Sequence, residues 1–413
     1  MGYSLGTIAQ TFLFILADLV GLALGDQHSV ILKQDGSVWS AGYNEYGQLG
    51  DGSSATTFTF VLTSNDAKAV AVGNDHSIIL KIDGGVWATG QNMYGQLGDG
   101  TRSAKTDFVL VLSSGAEAVT AGRDFSMVLK TDGSVVATGR NDHGQLGDGT
   151  TTSIDSFVRV VSSGVKAVAA GGYHSMVLKE DGSVWTTGSN SFGQLGRGLL
   201  FEDCAMYHKV VEDDVKAVAA GALHSFVLKQ DGSVWATGRN MFGQLGDGTT
   251  LAKSTFTFVV YVGAKAVATG HSHSMMLKTD GSVWVTGSNV HGQLGDGSTT
   301  DRKSFAKVKS GGTNTVAAGF GHSMILTQDG SVWATGWNLY GQFGDGTITS
   351  TSVFIKVAHA LENPKHDAVA IMEDLLPLDF AATTRSSATG ATRAMRCNDA
   401  LCRLYTVLFS HNL

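Results

Sequence analysis

The apolar residues of this chain fall in short runs separated by glycine, asparagine and aspartate. From Ala167 onward, for example, an Ala-rich run is followed by His-Ser-Met-Val-Leu-Lys, by Asp-Gly and then by Ser-Val-Trp-Thr-Thr-Gly. Runs of four to six residues rich in Val, Met, Leu and Trp, bounded by turn residues, are typical of β-strands rather than helices. A further apolar run, such as Ser156 to Val161 or Thr255 to Val260, brings each unit to about four strands.

This unit recurs seven times. The sequence Gly-Gln-Leu-Gly, or Gly-Gln-Phe-Gly in the last copy, recurs every 48 to 50 residues, beginning at Gly47, Gly95, Gly144, Gly193, Gly243, Gly292 and Gly341. His-Ser keeps the same register at His28, His76, His174, His224, His273 and His322, and Phe125-Ser126 stands at the remaining position. A period of this length predicts architecture more firmly than local propensity does. We assign residues 22–364 to the repeats.

Two segments lie outside the repeats. Residues 1–21 form an N-terminal segment that is either a leader or part of a closing strand, and residues 365–413 form a tail predicted to be partly disordered. The stretch from Phe12 to Leu24 is apolar apart from Asp18, but it is too short to span a bilayer and no Lys or Arg precedes it. If the seven units close into a ring, the seventh must pair with the first, because an unpaired sheet edge is a liability. We expect either the strand near Leu22 or the run Ala368–Ile371 to complete this contact.

An Asp-Gly dipeptide stands between two strand-like runs in every unit. The seven copies begin at Asp35, Asp83, Asp132, Asp181, Asp231, Asp280 and Asp329. Because Asp-Gly favours the positive φ angles of a type I′ turn, each unit is predicted to contain a tight antiparallel hairpin.

Seven small sheets must pack radially, since a single four-stranded sheet cannot bury both of its faces alone. The predicted fold is therefore all-β, a seven-bladed β-propeller of four-stranded antiparallel blades. The strands rich in Ala and Gly are expected to line the axis. The equivalent tryptophans are expected to fill the spaces between blades, namely Trp39, Trp87, Trp185, Trp235, Trp284 and Trp333, with Val136 in the remaining unit.

The composition bears on nucleic-acid binding and on the cellular compartment. The chain has 29 Lys and Arg against 36 Asp and Glu, for a net charge of −7, which gives no strong case for nucleic-acid binding. Its three cysteines are odd in number and scattered, so the thiols suit a reducing compartment, the cytoplasm or the nucleus.

The repeat Gly-x-x-His-Ser, Leu-Lys, Asp-Gly-Ser-Val-Trp, Thr-Gly-x-Asn-x-x-Gly-Gln-Leu-Gly-Asp-Gly resembles the regulator of chromosome condensation repeat. This resemblance implies a seven-bladed propeller. The family includes a guanine-nucleotide exchange factor for Ran, scaffolds of ubiquitin ligases and a plant ultraviolet photoreceptor, so the fold transfers more safely than the activity.

Three departures from the family argue against these activities. The near-constant unit length leaves no room for the wedge-like insertion of the Ran exchange factor. The turns before His-Ser lack the tryptophans of the photoreceptor, and the tail is too short for a ligase domain.

The repeated polar motifs favour structural roles. His and Ser are adjacent on a strand, so their side chains point to opposite faces and do not form a nucleophile and base pair. The repeat asparagines are expected to bond their own turns, and the Gly-Asp-Gly-Thr segments lack the residues of a phosphate or calcium loop. His271 with His273 gives too few ligands for zinc. We predict no catalytic residues, no metal site and no cofactor.

Two dipeptides vary from unit to unit, one before His-Ser and one between the repeat Asn and Gly-Gln. Because the Asp-Gly turn joins the strands that carry them, both are expected at the opposite end of the hairpin, on one face of the disc. Loops on a rigid scaffold are common binding sites. The predicted partner-binding residues are Asp26, Glu45, Asp75, Arg123, Asp124, Tyr173, Leu223, Met241, His271, Phe320, Trp337 and Leu339.

The function predicted from the sequence is therefore a non-enzymatic protein-interaction scaffold. The alternative is a guanine-nucleotide exchange factor for a small GTPase. The expected partner is a protein, either a small GTPase or a component of the ubiquitin pathway.

Overall fold

The computed structural model describes residues 21–198, 200–260 and 263–357. Within these residues, the regular structure consists of 28 strands in seven four-stranded antiparallel sheets. The predicted all-β, seven-bladed propeller is confirmed. The N-terminal segment 1–20 and the tail from 358 onward lie outside the described residues, so their predicted roles stay predictions.

The strands follow one another blade by blade in chain order. Blades one to three contain β1–β4 (Gly21–Leu24, His28–Leu32, Val38–Gly42, Thr57–Ser64), β5–β8 (Ala67–Val72, His76–Lys81, Val86–Gly90, Lys105–Leu112) and β9–β12 (Ala116–Ala121, Phe125–Lys130, Val135–Gly139, Ile154–Val161). Blades four and five contain β13–β16 (Val165–Ala170, His174–Lys179, Val184–Gly188, Cys204–Val211) and β17–β20 (Val215–Ala220, His224–Lys229, Val234–Gly238, Lys253–Val260). Blades six and seven contain β21–β24 (Ala264–Thr269, His273–Lys278, Val283–Gly287, Arg302–Lys309) and β25–β28 (Thr313–Ala318, His322–Thr327, Val332–Gly336, Thr351–Lys356).

Burial follows from the position of each strand within its blade. The first strand of every blade lines an axial channel of about 170 Å³, where small side chains such as Ala71 and Ala169 allow seven strands to converge. In the second strand nearly every residue is buried on both sides, because each blade packs between two others. The predicted axial position of the Ala-rich strands is confirmed.

A hydrophobic cluster lies at each of the seven blade boundaries. The cluster that closes the ring joins Leu22 and Ile31 of blade one to Met324, Leu326 and Phe343 of blade seven. The strand near Leu22 therefore takes part in the contact between the seventh and first blades, as one of the two alternatives predicted. The other alternative, Ala368–Ile371, lies outside the described residues.

The repeat tryptophans pack at the blade boundaries but do not fill them. Trp185, for example, lies against the cluster between blades three and four, yet it is only partly buried. Its indole Nε1 donates to Ser183 Oγ at 3.0 Å. Aliphatic side chains and buried rings such as Phe125 and Phe226 occupy the interior of the boundaries instead. The expectation that tryptophan fills the spaces between blades was therefore correct in location and wrong in extent.

The Asp-Gly turns differ from the predicted type I′ geometry. In blade one Gly36 has φ of +81°, but Asp35 is not among the residues with positive φ. Gly36 N donates to Lys33 O at 3.0 Å, and Lys33 N donates to Ser37 O at 2.9 Å. This is a three-residue hairpin loop, a type I turn followed by a left-handed glycine. The role of Asp35 in this turn is a side-chain hydrogen bond, since its carboxylate accepts from Ser37 N at 2.9 Å.

The repeated His-Ser dipeptides connect neighbouring blades. His28 Nε2 of blade one lies 3.0 Å from Ser77 Oγ of blade two, and Ser77 Oγ donates to Gln48 O of blade one at 2.7 Å. Because the hydroxyl proton is committed to that carbonyl, Nε2 is the donor to the serine oxygen. Equivalent His to Ser bonds of 2.8 to 3.0 Å occur at five other boundaries, at His76, His174, His224, His273 and His322.

The Gly-Asp-Gly segments form a second contact between blades. Gly52 N donates to Thr106 O in the outermost strand of blade two at 3.0 Å. The same pairing closes the ring, where Gly346 N donates to Phe58 O of blade one at 2.8 Å. The predicted structural role of this motif is confirmed by a bond of this kind at all seven boundaries.

The boundary between blades three and four has a different donor. Phe125 replaces the histidine there, so Ser175 Oγ has no imidazole partner. Tyr207 stands at the position where the other blades have phenylalanine, and its hydroxyl lies 2.9 Å from Ser175 Oγ. Ser175 still donates to Gln145 O at 2.7 Å. The phenol therefore supplies the hydrogen bond that the missing histidine would have donated.

We expect Tyr207→Phe to destabilise the protein by about 1 kcal/mol, because it removes this one hydrogen bond at constant shape. Adding Phe125→His to Tyr207→Phe rebuilds the arrangement of the other boundaries and is expected to recover the loss. Urea unfolding of the single and double variants measures both effects.

Phe157→Tyr is the matched control. It adds the same hydroxyl in blade three, where Ser126 already has His76 as its partner, so no stabilisation is expected. Equal stability of wild type and Tyr207→Phe would show that the phenol does not replace the imidazole.

Candidate interaction face

Both variable dipeptides of every blade lie at the same face of the propeller. The first lies in the turn between the first and second strands, and the second lies after the third strand, whereas the Asp-Gly turns lie at the other end. We call this surface, formed by turns 25–27 and 43–48 and their equivalents in the other blades, the variable face. The twelve residues predicted to bind a partner all lie on it.

The first dipeptides surround the mouth of the axial channel. Neighbouring turns are joined by backbone hydrogen bonds of 3.2 Å, such as Asn74 N to Arg123 O and Phe320 N to Gly25 O. The mouth, which we call the axial mouth, is a cavity of about 200 Å³. Six predicted residues line it, namely Asp26, Arg123, Tyr173, Leu223, His271 and Phe320.

Close packing explains the glycine that precedes each of these turns. A Cβ at Gly25 would lie 2.6 Å from the ring of His28 and 2.6 Å from Gly73 O. The His28 imidazole thus occupies the space of a side chain at residue 25. The Gly-x-x-His motif is required by this contact.

The second dipeptides are held by buried amide side chains. Asn44 Nδ2 donates to Ser53 O and Ala55 O at 3.1 Å each, and Asn44 Oδ1 accepts from Leu49 N at 3.0 Å. Gln48 Oε1 accepts from Tyr46 N at 3.1 Å. The repeat asparagines therefore organise their own loops, as predicted. Each loop presents its variable residues from a fixed frame.

Acidic side chains of blades one to three lie at one side of the axial mouth. Burial, reinforced by the nearby charge of Asp75, raises the pKa of Asp26 to about 7. Burial and the charge of Asp124 raise the pKa of Asp75 to about 6. Within the described residues Asp26 has no hydrogen-bonded or ion-paired partner, whereas Asp75 accepts from Gln48 Nε2 at 3.2 Å. The carboxylates on this side of the mouth are therefore not fully compensated by hydrogen bonds or ion pairs.

Two arginines beside these carboxylates are already engaged. Arg140 pairs with Asp124 at 3.1 Å and with Asp142 at 2.7 Å. Arg123 lies 3.7 Å from Asp124 and donates to the Tyr173 hydroxyl. Burial raises the pKa of Asp124, although the Arg140 hydrogen bond acts against this shift.

Aromatic rings form a continuous row across blades six, seven and one. Ring centroids are 4.6 Å apart between His271 and Phe320, 6.0 Å between Phe320 and Trp337, and 5.7 Å between Trp337 and Tyr340. We call this the aromatic row. Beyond Tyr340 it continues to Tyr43 at 5.1 Å and from there to Tyr46 at 6.4 Å, and His291 stacks on Trp337 at 5.3 Å.

The outer part of the variable face exposes apolar side chains. The first residue of the second dipeptide is exposed by 54 to 58% at Met93, Met241, Val290 and Leu339. Glu45 is exposed at the equivalent position of blade one. The variable face therefore leaves these apolar side chains accessible to a partner.

Several contributors were not among the twelve predicted residues. Tyr43, Tyr340 and His291 extend the aromatic row, and the Arg239 guanidinium lies over the rings of Phe192 and Phe242. The residue between the strand-ending glycine and the repeat asparagine, which is Tyr43, Arg239 or Trp337 in three of the blades, also varies among units. For Tyr43 and Arg239 that variation was the available signal, whereas Tyr340 and His291 belong to the second dipeptide itself. Acidic and aromatic side chains are not separated by blade, since Tyr43 and Tyr46 lie in blade one together with Asp26.

The His-Ser dipeptides have no access to a substrate. His28, Ser29 and their equivalents are fully buried, and each histidine bonds the serine of the next blade. The described residues include no group of three or more His, Cys, Asp or Glu side chains arranged to hold a metal ion. Among the same residues no helix is long and apolar enough to cross a membrane.

Sequence profiles agree with this geometry. The profile of the regulator of chromosome condensation (RCC1) repeat matches residues 20–48 and 67–96, and a second profile of that repeat matches 35–80 and 83–129. The profile of the RCC1-like domain matches residues 113–371, more than half of the chain. The chain belongs to the RCC1-like family. No curated protein sequence matches it.

Solved structures share the fold of this RCC1-like propeller at low identity. Prp20p from Saccharomyces cerevisiae, described with its binding properties to Gsp1p and histones, is 20% identical with a TM-score of 0.72, covering 84% of this chain and 96% of that one. Yeast RCC1 (Prp20) in complex with Kap60 is 19% identical with a TM-score of 0.72, covering 87% and 89%. Human WBSCR16 is 22% identical with a TM-score of 0.68, covering 76% and 87%.

We expect this RCC1-like propeller to lose stability as the pH falls from about 6.5 to 4. Burial lowers the pKa of His28 and His174 to about 4 and of His76, His224, His273 and His322 to about 3. In this window the unfolded chain takes up protons that the folded chain does not, which costs up to about 1.4 kcal/mol per pH unit for each histidine.

Asp26 has the opposite sign. Its folded-state pKa of about 7 lies above the unfolded value, so its contribution to stability falls as the pH rises from about 4 to 7. Asp26→Asn is therefore expected to be more stable than wild type by about 1 to 3 kcal/mol at pH 8, with the difference shrinking toward acid pH. Urea unfolding at pH 5, 6, 7 and 8 measures it, with exposed Asp213→Asn as control. A difference independent of pH would contradict this assignment.

Proposed function

We propose that this RCC1-like propeller is a non-enzymatic scaffold that binds a protein partner through its variable face. The observation that carries the proposal is the aromatic row beside the acidic side of the axial mouth. Aromatic residues, Met and Arg are enriched at the centres of protein interfaces, and Trp337, Met241 and Arg239 all belong to this surface. The partner is expected to be a small GTPase or a component of the ubiquitin pathway, as family membership suggests.

The rigid frame beneath this surface supports the proposal. Asn44 and its equivalents fix every second dipeptide, so binding would cost little ordering of the loops. Exposed Leu339, Val290 and Met241 increase the apolar area that a partner would cover. A non-enzymatic role agrees with the use of the repeated His and Ser side chains within the blade boundaries.

We expect Phe320→Ala and Trp337→Ala to increase the dissociation rate of the partner at every ionic strength, because central aromatic side chains contribute about 2 kcal/mol or more each. Asp75→Asn combined with Asp124→Asn is expected to slow association chiefly at low salt. The measurement is surface plasmon resonance with a purified partner, first identified by affinity capture on the full chain.

Gln230→Ala is the control, since it changes the opposite face at an Asp-Gly turn. It is expected to leave both rate constants unchanged. If Gln230→Ala weakens binding while the two aromatic variants bind normally, the partner uses the other face.

Guanine-nucleotide exchange on a small GTPase is the second candidate function. The binding of Gsp1p by Prp20p, whose fold this chain shares, favours it. Exchange would use the charged groups at the acidic side of the axial mouth, without a metal ion or a covalent intermediate.

The exchange function predicts saturable acceleration of fluorescent GDP release from a purified GTPase. Asp75→Asn with Asp124→Asn is expected to reduce this acceleration. If the partner found by capture is a GTPase that binds the variable face without any change in GDP release, the scaffold function stands and the exchange function is wrong.

A further inference from the structure

The axial mouth brings a carboxylate and aromatic rings together. Asp26 lies on one side without a hydrogen bond or ion pair among the described residues. Phe320 lies beside it, because Phe320 N donates to the carbonyl of Gly25, the residue before Asp26. The His271 ring lies 4.6 Å from Phe320 on the same side of the mouth. A carboxylate and an aromatic wall therefore line one cavity of about 200 Å³.

We propose that the axial mouth takes a lysine or arginine side chain inserted by the protein partner, with Asp26 as its counter-ion and Phe320 as the ring against which it packs. This inference rests on the proposed function and adds the chemistry of the partner. A cation is attracted both to a carboxylate and to the face of an aromatic ring. The long aliphatic part of Lys or Arg would lie along the apolar wall.

The distribution of charge favours a cation over other occupants. Of the two nearby arginines, Arg140 is held by Asp124 and Asp142, and Arg123 lies against Asp124 and Tyr173. Neither arginine forms an ion pair with Asp26 or Asp75 among the described residues, and the charge of Arg123 offsets these carboxylates only in part. An acidic segment of a partner would therefore be repelled. A neutral apolar side chain would bury the Asp26 carboxylate further without a partner, which is unfavourable.

Binding of a cation would offset the cost of ionising the Asp26 carboxylate. Burial and the charge of Asp75 raise its pKa to about 7, so the carboxylate destabilises the free protein at neutral pH. A bound ammonium or guanidinium group would remove that penalty. The cost in the free protein thus becomes a preference for cations in the complex.

The test uses the ¹⁵N-labelled full chain and three neutral-ended pentapeptides, each with a central lysine, norleucine or acetyl-lysine between glycines. We expect the lysine peptide to shift the amide signals of Gly25, Asp26 and Phe320. The norleucine and acetyl-lysine peptides have the same aliphatic length without the charge and are expected to bind at least about tenfold more weakly, a difference of about 1.4 kcal/mol. Equal shifts with all three peptides, or shifts confined to other regions, would overturn the proposal.

Asp26→Asn is expected to weaken binding of the lysine peptide about tenfold and to leave the norleucine peptide unaffected. Asp213→Asn, an exposed aspartate at the opposite end of blade four, is the matched control and is expected to change neither. Melting curves of the variants report their folding. Unchanged lysine binding by folded Asp26→Asn would overturn the assignment of the counter-ion.

Failure of this inference is separable from failure of the proposed function. If the captured partner depends on Phe320 and Trp337 but binds Asp26→Asn as tightly as wild type, the interaction face stands and the cation site is wrong. If the partner ignores all three substitutions, the proposed function itself is wrong.

Discussion

The hydrogen bond from a buried histidine to the serine of the next blade is the interaction on which the propeller depends. Each blade is a small sheet that is stable only between two neighbours, and this bond fixes how closely neighbours approach. It also explains the neighbouring motifs: Gly25 makes room for the imidazole of His28, and Gln48 supplies the carbonyl that orients Ser77. The Gly-Asp-Gly segments add a second hydrogen bond between neighbouring blades, at the outermost strands. Most constant residues of the repeat therefore belong to blade boundaries.

Because the constant residues form the blade boundaries and hold the loops, the variable residues are not needed to stabilise the fold. Asn44 and Gln48 hold their loop by side-chain bonds to its backbone, so Tyr43, Glu45 and their equivalents can differ between blades without loss of the fold. This division is typical of scaffolds that present binding loops. It also gives burial two opposite consequences. Buried His28 is stable as a neutral donor, whereas Asp26 at the axial mouth is held in a poorly compensated position.

The boundary between blades three and four keeps the hydrogen bond to the serine without the histidine. Phe125 fills the volume of the imidazole and removes its donor. Tyr207, from a different strand, restores a donor to Ser175. Two changes 82 residues apart in the sequence thus compensate each other. The sequence displays both substitutions, but only the folded structure shows that they meet.

The sequence by itself determined the repeat, the four strands of each blade, the seven-bladed ring and the face on which the variable dipeptides gather. These features follow from periodicity and from the alternation of strands and turns, which are local properties of the chain. Tertiary structure decided the rest: the left-handed Gly36 without a matching Asp35, the partial exposure of Trp185, and the aromatic row that brings Tyr43 of blade one to Tyr340 of blade seven. These depend on contacts between residues far apart in the chain. Spacing within one repeat carries no information about which side chains meet when the ring closes.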